Sequence, residues 1–85
     1  MYHISIKKTA AKELEKLPNK IISSITKSIY TLASEPRPAG CKKLKGSHTD
    51  LWRIRIGDYR VIYSVDEEIK IIDIKKVGHR KDIYE

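Results

Sequence analysis

The sequence predicts an α+β domain in which an N-terminal strand and a helical hairpin precede an antiparallel sheet, in the order βααβββ with a short C-terminal turn or helix. Three observations carry this. Apolar residues recur at helical spacing only between about residues 9 and 35. Before and after that stretch they alternate with a period of two. A Gly57-Asp58 pair separates two of the alternating runs, as a tight hairpin turn would. A chain of 85 residues with 40% apolar content suits a single domain spanning 1–85 with a simple core, and excludes a second catalytic domain.

Taken in order, YHISI at residues 2–6 places Tyr2, Ile4 and Ile6 on one side of a short strand. Thr9 is positioned as an N-cap, after which Ala10, Leu14 and Leu17 share one face of a first helix. Pro18 ends that helix and suits the first turn of a second, marked by Ile22, Ile25, Ile29 and Leu32 and ending before Pro36. The Glu35–Gly40 stretch reads as a loop. Residues 51–56 and 59–65 form a hairpin about Gly57-Asp58, and residues 69–77 a third strand joined through Asp66-Glu67-Glu68.

Charge narrows the function. Eighteen Lys and Arg against eleven Asp and Glu give a net +7, and the apolar residues run along the whole chain, so the basic balance belongs to a folded domain that favours polyanions. The excess is +3 over residues 1–36, +5 over 37–65 and −1 over 66–85. One cysteine, Cys41, makes no intramolecular disulfide, and His3, His48 and His79 are too scattered to complete a zinc site with it, so no metal or cofactor is expected. No apolar run approaches membrane-spanning length and MYHISIKK is no signal peptide, which points to the cytoplasm.

With a two-residue turn at Gly57-Asp58, Ile56 faces Tyr59, Arg55 faces Arg60, Ile54 faces Val61 and Arg53 faces Ile62. Trp52, Ile54, Ile56, Tyr59, Val61 and Tyr63 then share the side that the helices cover, which makes Trp52 a core residue. Arg53, Arg55 and Arg60 share the other side, expected as a solvated, phosphate-binding face. Like charges opposite each other across strands cost roughly 0.2–1 kcal/mol, so stability alone does not favour the Arg55/Arg60 pair. Arg37, Lys42, Lys43 and Lys45 add basic charge before the hairpin and extend the phosphate-backbone footprint.

The run KKLKGSHTDLWRIRIGDYRVIY from Lys42 to Tyr63, followed by VGHRKDIY from Val77 to Tyr84, resembles the RelE toxins of the RelE/ParE superfamily. The Leu17-Pro18 turn and the βααβββ order extend the likeness over essentially the whole chain. The resemblance implies a small metal-independent endoribonuclease that enters the ribosomal A site and cuts mRNA through attack of the ribose 2′-hydroxyl on the adjacent phosphate. It implies roles for Arg53, Arg55 and Arg60 as phosphate-binding strand residues, for Arg80 in stabilising the transition state or leaving group, and for Tyr84 in orienting the base or in proton transfer. Well-known relatives carry lysines where Arg53 and Arg55 stand. Arginine stays protonated, so these two are expected to act electrostatically, leaving His79, Tyr84 or positioning by the ribosome as alternatives for the base. The implied partners are a cognate antitoxin, the ribosome and mRNA, with operator DNA bound only as a toxin–antitoxin complex. A ParE-like toxin that inhibits DNA gyrase without cutting RNA is the alternative, and a plain nucleic-acid-binding module is a third.

Overall fold

The computed structural model describes residues 1–45 and 50–83. His48 and Tyr84 therefore lie outside the described residues. The elements are β1 (His3–Ile6), α1 (Lys8–Glu15), α2 (Asn19–Thr31), β2 (Lys42–Lys43), β3 (Leu51–Ile56), β4 (Tyr59–Asp66) and β5 (Ile71–His79). One five-stranded sheet has the order β1-β5-β4-β3-β2. The expected strand–helices–sheet layout holds, with β2 appearing as a short edge strand between the expected loop and the hairpin.

The helices begin where the sheet releases the chain. Lys7, not Thr9, occupies the N-cap position of α1, and no side chain caps it. The Lys7 N–H donates to the Ile74 carbonyl at 2.9 Å, which holds Lys7 extended; the first helical bond then runs from the Ala11 N–H back to the Lys7 carbonyl, also 2.9 Å. Thr9 is thus already inside the first turn. Pro18 separates the helices as expected but sits at the N-cap of α2, one place ahead of the first turn. Its carbonyl accepts from the Ile21 and Ile22 N–H groups at 2.9 Å each, and its missing N–H removes no helical bond.

The β3–β4 register is Ile56↔Tyr59, Arg55↔Arg60, Ile54↔Val61 and Arg53↔Ile62, as the turn predicts. Gly57 has φ +59, the left-handed angle required at the first position of such a turn. The third long strand starts at Ile71 instead of residue 69. Asp66 Oδ1 accepts from the Glu68 and Ile69 N–H groups at 3.1 and 3.2 Å, and Lys70 takes φ +58, so the connection holds the chain out of the sheet until residue 71.

In β5 the alternation shifts by one. Ile62 pairs with Lys76 but Tyr63 pairs with Ile74, leaving Lys75 as the extra residue of a bulge. Ile72, Ile74 and Val77 can consequently all face the helices and all are buried. β1 lies parallel to β5, from His3↔Ile71 to Ile6↔Ile74. Where β1 runs out, Glu13 Oε1 of α1 accepts from the Val77 N–H at 3.2 Å and occupies part of the open edge.

The main core combines Ala10, Ile25, Ile29 and Leu32 of the helical side with Ile54, Val61, Tyr63, Val65, Ile72, Ile74 and Val77 of the sheet. Leu14, Leu17 and Trp52 pack against it. Ile62 and Ile83, 6% and 5% exposed, are buried outside that cluster. Ile83 returns over Gly78: a Cβ there would lie 3.3 Å from Ile83 Cδ1. Gly78 thus makes room for the C-terminal segment.

The Tyr63 side chain is fully buried, and its hydroxyl donates to the Pro36 carbonyl at 2.7 Å, tying the loop after α2 to the sheet. Burial, the first cause, pushes this phenol well above the usual tyrosine range. A folded pKa above the unfolded value of about 10 means that the contribution is complete below about pH 10 and falls as pH rises further. Tyr63→Phe should cost about 1 kcal/mol at neutral pH in urea unfolding, with the gap to wild type narrowing above about pH 10. Gly78→Val should cost roughly 1–3 kcal/mol by the same measurement, since Ile83 must move, and Ile83→Ala in the same chain should recover part of that loss.

Candidate functional site

Cross-strand register brings the basic side chains onto the sheet face turned away from the helices. One row runs Lys42, Arg53, Ile62, Lys76, and the next Arg55, Arg60, Gly78. The solvated face expected from the sequence holds only in part, because two of its three arginines are buried. Arg53 is 2% exposed and Arg60 7%, while Arg55, Lys42 and Lys76 are exposed. Arg60 Nη1 donates to the Gly57 and Tyr59 carbonyls at 3.3 and 3.2 Å. Those charge-assisted bonds turn the guanidinium toward the hairpin turn and make the Arg55/Arg60 pairing tolerable.

Arg80 stands at the turn end of this face. Its N–H donates to the Asp58 carbonyl at 2.7 Å, and its Nε lies 3.7 Å from Asp58 Oδ1. Both side chains are more than half exposed, so the ion pair orients Arg80 while leaving its charge available to a ligand.

His79 is not brought to the arginines. It pairs with Tyr59, on the helical side of the sheet, in an edge-to-face contact with ring centroids 5.4 Å apart. Its Nδ1 accepts from the Lys81 N–H at 3.1 Å. That contact engages Nδ1 within the turn that follows β5. The reason is the pleat: Gly78 and Arg80 share the arginine face, and the residue between them faces the other way.

The remaining expected contacts divide. Lys42 belongs to the arginine face, and Lys45 is exposed beyond it. Lys43, opposite Trp52, points to the other side and has its Nζ 3.1 Å from Asp50 Oδ1. Arg37 is engaged at the far end of the sheet, where its Nη2 lies 2.7 Å from Glu67 Oε1 and its guanidinium carbon 5.0 Å from the Trp52 ring centroid. Trp52 packs on the core, with Nε1 buried and without a hydrogen-bond partner among the described residues, so its ring is not presented to a base.

Lys76 is the residue that sequence reasoning missed. Counting alternation on from Ile72 and Ile74 would send position 76 into the core. The bulge at Lys75 reverses the parity and places Lys76 in the row of Arg53. The KK pair inside an otherwise apolar strand was the available signal.

A cleft of about 630 Å³ lies away from these residues, lined by Arg37, Asp50, Asp66, Glu67, Glu68 and Lys75 among others. The arginine face is a raised, charged surface, suited to a chain-like polyanion rather than an enclosed small molecule. Among the described residues no three His, Cys, Asp or Glu side chains gather to hold a metal ion, and no helix is long and apolar enough to cross a membrane.

Known proteins share this arrangement. Residues 4–84 match the family model described as the ParE toxin of the type II toxin–antitoxin system parDE. Toxin RelE of Mycobacterium tuberculosis is 33% identical over 84 residues, covering 98% of this chain and 86% of the relative. Putative toxin RelE1 of Methanocaldococcus jannaschii is 35% identical over 86 residues, covering 98% and 94%. The crystal structure of the archaeal RelE–RelB complex from Pyrococcus horikoshii superposes with a TM-score of 0.83 at 37% identity, over 96% of this chain and 98% of that one. With both the fold and the sequence matched along almost its whole length, this chain belongs to the RelE/ParE family as a RelE-like toxin of a type II toxin–antitoxin system.

Proposed function

We propose that this toxin is a metal-independent endoribonuclease that cuts mRNA in the ribosomal A site and thereby stops translation. The observation that carries the reading is the collection of Arg53, Arg55, Arg60 and Arg80 on one sheet face opposite the helices. The RelE-named relatives support it. In the proposed reaction the 2′-hydroxyl loses its proton and its oxygen attacks the adjacent phosphorus. The bond from phosphorus to the 5′-oxygen breaks, the leaving oxygen takes up a proton, and a cyclic phosphate remains. Charge builds on the phosphoryl oxygens along this path, and preorganised cations are the groups that stabilise it. DNA lacks the nucleophile and is not a substrate.

Arg55 and Arg80 are exposed and meet the phosphate. Arg53 and Arg60 are buried, Arg60 bracing the hairpin turn, and their charge adds to the field at the surface. His79, on the far side of the sheet, takes no proton in this scheme. Tyr84 stays as the candidate for proton transfer, beside positioning of the message by the ribosome. Lys42 and Lys45 extend the basic track toward ribosomal RNA. The toxin acts in the cytoplasm, where ribosomes are.

The partner is a cognate antitoxin, as the Pyrococcus horikoshii relative is found with RelB. A surface with a net +7 suits an acidic chain, and together the two are proposed to bind operator DNA. Because the matched family model carries the ParE name, inhibition of DNA gyrase without RNA cleavage is the second reading.

In a translation reaction with mapped mRNA ends, wild type should cut within the A site. Arg80→Ala should lower the rate about 10²-fold with little change in melting temperature. Arg60→Ala should also lower folding stability by roughly 1–3 kcal/mol, because its bonds to the turn carbonyls are lost. Intact message together with blocked DNA supercoiling would favour the gyrase reading instead.

A further inference from the structure

We propose that Lys76 contacts RNA phosphate, and that with Arg55, Arg80 and Lys42 it belongs to the accessible cations of the sheet face. The assignment deepens the ribonuclease reading above and rests on it. It begins with the bulge. Lys76 pairs with Ile62, whose other neighbour is Arg53, so a single row crosses β3, β4 and β5 on the face turned away from the helices. Arg60 pairs with Gly78, and Lys76 and Arg80 stand two residues to either side of that glycine. Diagonal neighbours of this kind are about 7–8 Å apart, within reach of long side chains. Lys76 and Arg80 therefore flank Arg60, with Gly78 and the returning Ile83 as an apolar floor between them.

Availability separates Lys76 from its neighbours. Arg53 and Arg60 are 2% and 7% exposed, whereas Lys76 is exposed. Three other lysines of the sheet and its connections are committed: Lys75 Nζ lies 2.8 Å from Asp73 Oδ2, Lys43 is engaged with Asp50, and Lys70 lies over the Tyr2 ring, whereas Lys42 is exposed at the β2 end of the same row. The Lys76 ammonium makes no hydrogen bond or ion pair among the described residues. An exposed ammonium in a cationic row with no carboxylate beside it keeps its charge free for an anion. A flexible lysine stem lets one ammonium follow the phosphate from ground state to transition state, which the two buried guanidiniums cannot do.

The test compares full-length wild type, Lys76→Ala, Lys76→Arg and Lys20→Ala. Lys20 lies exposed in the first turn of α2 and serves as a control for general charge loss. Two measurements are made: the rate of cutting ribosome-bound mRNA, and the salt dependence of binding to a bare single-stranded RNA. Lys76→Ala should cut roughly ten- to a hundredfold more slowly, keep its melting temperature, and lose about 0.7 from the slope of log affinity against log salt. Lys76→Arg should remain within a few-fold of wild type, and Lys20→Ala should leave the cutting rate unchanged. Cutting and slope both at wild-type values in Lys76→Ala would overturn the assignment. If wild type itself cuts nothing, the mRNA reading fails, and the salt slope alone decides whether Lys76 meets phosphate.

Discussion

Gly57 takes a φ of +59, and that single backbone angle organises both faces of the sheet. It allows a two-residue turn, the turn sets Ile56 opposite Tyr59, and every pair further along the hairpin follows. A slip of β4 by one residue against β3 would carry Val61 and Tyr63 to the outer face and bring Arg60 against the helices. The core and the basic surface are thus two results of one register. Arg60 strengthens the same point, since its guanidinium returns to the turn carbonyls of Gly57 and Tyr59.

The second organising feature is the irregularity at Lys75. A perfectly alternating β5 could not bury Ile72, Ile74 and Val77 together, because the last has the opposite parity. The extra residue lets all of them face the helices and turns Lys76 outward. It also sets Gly78 opposite Arg60, leaving space above the glycine that Ile83 fills. The C-terminal segment is thereby folded over the same face that carries the cations, and Arg80 is drawn to the hairpin turn through Asp58.

Burial then divides the arginines by task. A guanidinium near 2% exposure, as at Arg53, shapes the field of the surface from beneath, whereas Arg55 and Arg80 can exchange water for phosphate. Acidic groups gather at the opposite end of the hairpin, around Asp66, Glu67 and Glu68, where Glu67 takes up Arg37. The molecule is consequently polarised along its strands, and a polyanion is attracted to the turn end and repelled from the other.

Much of this was legible in the chain itself. The amphipathic helices, the hairpin and its register, the core role of Trp52 and the sharing of one face by Arg53, Arg55 and Arg60 are local consequences of side-chain period and turn chemistry. These act over a few residues and leave their mark in the sequence. The parallel pairing of β1 with β5, the start of α1 at Lys8, the bulge at Lys75 and the return of Ile83 are contacts between distant segments, which no local pattern encodes. The same holds for the site. Its basic character was written in the residues. That Arg53 and Arg60 are buried, that His79 faces the helical side, and that Lys76 joins the arginine row were decided only when long-range packing fixed which way each strand turns its side chains.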